Sequence, residues 1–316
     1  MEPWTSFWQH GHSTTFGAFF KDGYDGAIKT WWQDILSDAQ APIDVLDLGC
    51  GNGALLLDLL DQSIGGSYTG VDLAEVKLSK LAAQKLNAQS RLNAVLKPKT
   101  NAETLPVPAA SMDLVASVFG IEYSDLEKSL PEAIRVLKPG GVFEALMHAD
   151  ESVISSMSAR ALSEFNDDDM DTIIANLNII DQQLNLLRVP ARLKQSQQAE
   201  AARTKLNALA QKYMSNLDPE TGNAIMVQFV GDALKYFKMI KQADTVRRNY
   251  INGLSTEFTA SRQRYQAMAA AAQGAADIDC VTALLRAQDC TSVSAERFFA
   301  DPDQKELAGW HISACK

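Results

Sequence analysis

The stretch that most constrains this chain is DVLDLGCGNG, Asp44 to Gly53, an apolar run that ends with glycine at every second position and passes straight into the helical pattern ALLLDLLDQ. A strand that turns on glycines into a helix aims backbone N–H groups, and the positive end of the helix dipole, at whatever sits above the turn. Glycine removes the Cβ atoms that would hold a ligand away from the main chain. The same alternation continues downstream. SYTGVD reads as a second strand, Glu75–Asn87 as a helix, and Ala94–Lys97 as a third strand. MDLVASVF reads as a fourth strand, SLPEAIRVL as a helix stopped by Lys138-Pro139-Gly140-Gly141, and GVFEALMHA as a fifth strand. Such alternation predicts an α/β, Rossmann-like fold with a mostly parallel sheet and helices on both faces.

After Asp150 the strand signal disappears for over a hundred residues and apolar residues recur at helical spacing, Met170, Ile173, Ile174, Leu177, Ile180 and Leu184 among them. Pro190, Pro219, Gly222 and Gly274 punctuate this stretch into several amphipathic helices. Its charge runs, Asp167–Asp169 and Arg247–Arg248, read as solvated helix faces and dipole-matching ends. TSVSAERFF and LAGWHISAC then read as two closing strands, which brings the sheet to seven. The expected organisation is an aromatic cap over 1–40, a core carrying strands one to five over 41–150, a helical insertion over 151–275, and a closing helix with strands six and seven over 276–316. The cap holds nine of the 24 aromatic residues, from Trp4, Phe7 and Trp8 through Phe16, Phe19, Phe20 and Tyr24 to Trp31 and Trp32, so it must pack against something.

A composition of 46% hydrophobic and 22% charged residues over 316 positions is that of a folded globular chain with length for a large core. A net charge of -10 without a long Lys/Arg run disfavours nucleic acid as a partner. The Met-Glu-Pro-Trp start lacks a basic leader and an apolar core, and no stretch reaches the ~20 apolar residues of a membrane span, so a cytoplasmic protein is expected. Cys50, Cys280, Cys290 and Cys315 show neither paired spacing nor a histidine at ligand distance, which argues against zinc and a disulfide framework.

The glycine turn can be parsed two ways. Gly49-x-Gly51-x-x-Ala54 satisfies the dinucleotide fingerprint, and Asp72, 19 residues after Gly53 at the end of the second strand, can accept hydrogen bonds from two ribose hydroxyls; an NAD-dependent oxidoreductase is therefore one reading. The other parse, Gly49-x-Gly51-x-Gly53 preceded by Asp47, resembles motif I of the class I S-adenosylmethionine-dependent methyltransferases. NAETLPVPAASMDLVASVFGIEYSDLEKSLPEAIRVLKPGG, Asn101 to Gly141, is similar throughout to the small-molecule branch of that family, and the ordered series favours the second parse. The resemblance implies S-adenosylmethionine as cofactor, with Asp47, Gly49, Cys50 and Gly51 around its methionine part, Asp72 on the ribose and Leu73 on the adenine. Asn101 stands where the family usually carries Asp. Ala102 and Glu103 would flank the adenine, and Ser117 to Phe119 would face the sulfonium.

The implied reaction is in-line methyl transfer to a small-molecule or natural-product acceptor at O, N, S or C, in which positioning and desolvation supply most of the catalysis. His148, Glu122, His10 and His12 are the groups able to act as a base or orient the acceptor. Tyr24 or Phe16 could close over the sulfonium through a cation–π contact. Each has a bland counterpart: a polar residue at a strand end, a helix-start carboxylate, loop histidines held by neighbours, packing aromatics. His311 reads as structural. The insertion would serve as a lid, a homodimer interface or a docking surface. A S-adenosylmethionine-binding regulator or scaffold without turnover is the alternative of a different class.

Overall fold

The computed structural model describes residues 3–15, 23–88, 91–218 and 220–316, so that Phe16, Phe19, Phe20 and Pro219 lie outside the described residues. Seven strands form one sheet: β1 (Ile43–Leu48), β2 (Gly66–Val71), β3 (Leu92–Lys97), β4 (Met112–Val118), β5 (Leu137–Met147), β6 (Thr291–Phe299) and β7 (Leu307–Cys315). The order is β3-β2-β1-β4-β5-β7-β6; all neighbours are parallel except β7, which runs antiparallel to both β5 and β6. The seven-stranded, mostly parallel, Rossmann-like sheet expected from the sequence is thus present, and both closing strands fall on the residues assigned to them.

Five of the six residues of β1 are buried because both faces of the sheet are covered. On one face Ile43, Val45, Leu114, Ala116 and Tyr68 pack with helices α2 (Gly26–Asp38), α3 (Ala54–Asp61) and α4 (Lys80–Asn87). On the other, Leu46, Leu48, Val115, Phe143 and Ile312 pack with α5 (Leu126–Val136) and α11 (Ala275–Ala287). The cap finds its partner here: fully buried Trp32 of α2 donates its indole N–H to the Leu55 carbonyl of α3 at 3.1 Å. The remaining cap helix, α1 (Pro3–Gln9), contributes Trp8 to a small cluster with Cys50, Ala74 and Val76.

Two local expectations differ from the structure. The helix expected over Glu75–Asn87 starts only at Lys80, because Asn52 Oδ1 accepts from the N–H of Lys77 and the Asn52 carbonyl accepts from Ser79, holding that approach out of helical geometry before Ser79 caps the helix. The Lys138–Gly141 segment, expected as a stop after α5, belongs to β5 as an irregularity in register, with Gly140 at φ +78 and its N–H bonded to the Lys316 carbonyl.

Residues 158–266 form one compact unit, and 1–157 with 267–316 the other. Within the sheet-bearing unit Ala149 bridges Gln273, and the N–H of Gln273 donates to the His148 carbonyl at 2.7 Å. The helical unit contains α7 (Asp167–Leu187), α8 (Gln197–Met214) and α9 (Ala224–Lys235), with parts of α6 (Val153–Glu164) and α10 (Asp244–Ala271). Asn166, Ser196 and Asn223 cap α7, α8 and α9. Asp167–Asp169 do occupy the first turn of α7, but Arg247 is not on a solvated face. It is 5% exposed and paired with buried Asp181 at 2.6 Å, while Tyr236 and Asn185 also bond to that carboxylate. Among the described residues no helix is long and apolar enough to cross a membrane.

Removing one member of a buried ion pair strands the other charge, at a cost of roughly 3–5 kcal/mol. Arg247→Met should therefore lower the stability of the helical unit by about that amount, measured by urea denaturation followed by circular dichroism; an unchanged transition would mean that Asp181 is solvated in the native state.

Candidate functional site

The chain leaves β1 toward β2 and leaves β4 toward β5, in opposite directions, so a crevice opens beyond the C-terminal ends of these two neighbours. Gly49 and Gly120 meet at its base. A Cβ on Gly49, whose φ is +73, would lie 2.7 Å from Cα of Gly120, and one on Gly120 would lie 2.6 Å from the Leu48 carbonyl oxygen. Ser117 Oγ donates to that carbonyl at 2.7 Å and accepts from the N–H of Ile121 at 2.9 Å, tying the two strand ends together. The cleft above has about 180 Å³ of free volume, on the order of ten times the requirement of one water, and its walls come from between Trp4 and Ser124.

Of the residues singled out from the sequence, Tyr24, Gly49, Cys50, Asp72, Leu73, Asn101, Ala102, Glu103 and Phe119 line this one cleft. Asp72 Oδ1 accepts from Ala74 at 2.8 Å and Oδ2 from Gly51 at 2.9 Å. Leu73 is 57% exposed at the edge. Asn101 Oδ1 accepts from the N–H of Glu103 at 2.9 Å, so the oxygen expected to meet an adenine amino group already closes a turn of its own loop.

Asp47, Gly51, Ser117, Glu122, His148 and His12 are not among the lining residues. Ser117 is the strand clamp described above and is fully buried. Gly51 has φ +50, and a Cβ there would sit 2.5 Å from the Trp8 ring, so its missing side chain makes room for the protein's own tryptophan. The His12 ring stacks on Phe7 at 4.4 Å, and its carbonyl accepts from Asn52 Nδ2, which also donates to the Trp8 carbonyl. His10 lies beside His12, and His311 pairs with Glu144 at 2.6 Å in the sheet.

The glycine turn also differs from the expected array of free donors. The N–H groups of Gly49 and Cys50 both donate to the Val71 carbonyl, that of Gly51 to Asp72, and that of Gly53 to the Cys50 carbonyl. Sequence reasoning overlooked Trp4, Trp8, Ser13, Thr15 and Tyr123, which complete the walls, and Asn52, which is fully buried and pins residues 8–12 over the turn. The four-residue spacing of Trp4 and Trp8 was the available signal for the two tryptophans. Thr15 Oγ1 is buried without a protein partner.

Burial dominates the electrostatics around the cleft. Asp47 is pushed up to about 7 by desolvation, with the nearby Asp72 charge adding to it, although the Tyr68 hydroxyl bonded to Asp47 at 2.5 Å opposes the shift. Glu122 is likewise pushed up to about 7 by burial, despite the backbone N–H of His148 bonded to its Oε1 at 2.9 Å; its Oε2 has no protein partner. Burial lowers His148 to about 4, so the imidazole is neutral near pH 7 and a weak base, and its Nε2 lies 3.1 Å from the hydroxyl of the wall residue Tyr123. Tyr24 is raised by burial and by the charges of Asp47 and Glu122, and Tyr123 by burial and Glu122, so both phenols stay protonated.

Residues 45–141, from β1 into the first half of β5, match the family model described as a methyltransferase domain. That match agrees with the resemblance to the class I S-adenosylmethionine-dependent methyltransferases carried by the glycine turn and the Asn101–Gly141 series. The chain is 37% identical over 103 residues to a demethylmenaquinone methyltransferase of Thermus thermophilus, covering 32% of this chain and 46% of that protein. It is 32% identical over 139 residues to a malonyl-[acyl-carrier protein] O-methyltransferase of Geobacter sulfurreducens, covering 42% of this chain and 51% of that one. The chain thus spans about half the length of the curated relatives it matches. The matched segment supplies the glycine turn, Asp72 and the Asn101–Glu103 loop, whereas the wall residues Trp4, Trp8, Ser13, Thr15 and Tyr24 precede it.

Two outcomes test this geometry. The folded-state pKa of Glu122 is raised, so its contribution to stability is complete below its ordinary value of 4.5 and is lost as pH rises through about 7. Glu122→Gln cannot titrate; relative to wild type it should gain stability across that window, on the order of 3 kcal/mol in total, and then level off. Urea unfolding at a series of pH values checks the slope, and parallel profiles would show Glu122 to be an ordinary carboxylate. Gly51→Val should expel the Trp8 ring from the turn, seen as a red shift in tryptophan fluorescence with the far-ultraviolet circular dichroism of the sheet retained.

Proposed function

We propose that the cleft binds S-adenosylmethionine and that the protein transfers its methyl group to a small organic acceptor. The observation carrying this reading is the chemistry of the walls. Five aromatic residues, Trp4, Trp8, Tyr24, Phe119 and Tyr123, and two acids, Asp72 and Glu103, line the cleft, and no Lys, Arg or His is among the described lining residues. Such a wall favours a cationic, nucleoside-bearing ligand. It offers nothing to a diphosphate, because the glycine-turn amides that a dinucleotide's pyrophosphate would need already donate within the protein. This speaks against the NAD parse of the same glycines.

In this reading the Asp72 carboxylate in the cleft wall accepts from vicinal ribose hydroxyls, Leu73 and the Asn101–Glu103 loop border the base, and orphaned Thr15 Oγ1 gains a polar partner from the amino-acid part. The cofactor supplies an electrophilic methyl carbon on a positively charged sulfur. The chain's contribution is to hold the acceptor's lone pair in line with the breaking C–S bond at roughly 3–3.5 Å and to exclude water. The C–S pair stays on sulfur, and a protic acceptor sheds its proton. The relatives named for demethylmenaquinone and for malonyl-[acyl-carrier protein] support an organic group as the acceptor.

Calorimetric titration with S-adenosylmethionine, S-adenosylhomocysteine and NAD tests the reading. The two sulfur nucleosides should bind and NAD should not; NAD binding alone would overturn it, and S-adenosylmethionine binding without methylation of any acceptor would favour a regulator. Asp72→Ala should weaken S-adenosylmethionine binding by about 1.5–3 kcal/mol, the value of hydrogen bonds to a charged acceptor, and unchanged affinity would put the ribose elsewhere.

A further inference from the structure

Tyr123 lies in the cleft wall, its ring edge against Trp4 at 5.7 Å, and its hydroxyl is 3.1 Å from His148 Nε2. His148 stands just past the end of β5 and is 2% exposed. Its ring is fixed by stacking on Phe119 at 4.5 Å and 18°, and its backbone N–H by Glu122. Its other nitrogen, Nδ1, is buried and has no protein partner.

These facts decide which way the hydrogen bond runs. The imidazole is neutral, so it carries one N–H. On Nδ1 that proton would be a buried donor with no acceptor, a rare and costly state. On Nε2 it is used by the Tyr123 oxygen, which leaves an unpaired lone pair on Nδ1, a state proteins tolerate more often, and leaves the O–H of Tyr123, a residue of the cleft wall, for a partner in the cleft. His148 therefore donates and Tyr123 accepts. The phenol's own O–H is not consumed by His148, it stays protonated through burial and the neighbouring Glu122, and the incoming bond polarises it further.

We infer that the Tyr123 hydroxyl, oriented by His148, is a hydrogen-bond donor to an oxygen of the methyl acceptor, so that the protein takes acceptors presenting a phenolate, enolate or carboxylate oxygen at the reacting end. Tyr123 is the binding group and His148 a positioning residue; neither abstracts a proton. This rests on the reading of the cleft as a S-adenosylmethionine site, and it separates that reading from an acceptor reacting through an isolated amine or thiol, to which a Tyr donor adds nothing.

The test compares two probes on the full chain, 4-nitrophenolate and its neutral methyl ether 4-nitroanisole, each with and without S-adenosylhomocysteine. Wild type should bind the phenolate more tightly than the ether. Tyr123→Phe, which keeps the ring, should weaken phenolate binding by about tenfold while leaving the ether unchanged. His148→Gln should reduce the same preference by a smaller factor because the hydroxyl is no longer held. Calorimetry on each variant should show undiminished S-adenosylhomocysteine binding. Equal phenolate binding by wild type and Tyr123→Phe, or no preference for the phenolate in wild type, would overturn the inference. Failure of S-adenosylhomocysteine to bind wild type would instead overturn the cofactor reading, since the probe comparison is also made without it.

Discussion

The contact on which the site depends is the meeting of Gly49 and Gly120, backbone against backbone, at the ends of the two central strands. No side chain fits at either position, and the Ser117 hydroxyl bonds the two strand ends on opposite sides of that contact. With the strands held this close, their connections diverge and leave a crevice between Asp72 on one side and Phe119 to Tyr123 on the other. The glycines of the motif are thus explained first by the protein's own atoms: Gly120 beside Gly49, Trp8 beside Gly51, and a left-handed cap for α3 at Gly53. A ligand benefits from that architecture without being its only cause.

Around the crevice the protein has buried two carboxyls, Asp47 and Glu122, behind aromatic walls, each pushed up to about 7 by loss of water. Their influence reaches the wall residues Tyr24 and Tyr123, which they help keep in the phenol form. The wall facing a ligand is then made largely of neutral rings, neutral hydroxyls and the half-buried acids Asp72 and Glu103, an environment suited to a cationic ligand. Asn52 adds the roof by bonding the Trp8 and His12 carbonyls and the Lys77 N–H from one side chain.

Much of this was legible in the residues. Short apolar runs alternating with helical patterns located every strand within a few residues, and the carboxylate after β2 was assigned to the cleft by its distance from the glycines. The errors share a cause. Glu75–Ser79 has a helical pattern but is captured by Asn52, a partner more than twenty residues away. Arg247 looks like half of a solvated charge pair until Asp181 is packed against it. His148 looks like a base until burial and the Phe119 ring separate it from solvent.

The sequence by itself determined the layer architecture, the seven strands, the turn that sites the cleft and the family its core resembles, because those depend on local periodicity and on the order of short motifs along the chain. Tertiary structure alone decided which side chains face the cleft, which donors the turn leaves free, and which acids and histidines lose their charge. Those properties depend on desolvation and on partners distant in the chain, and no spacing along a sequence encodes the water a folded neighbour removes.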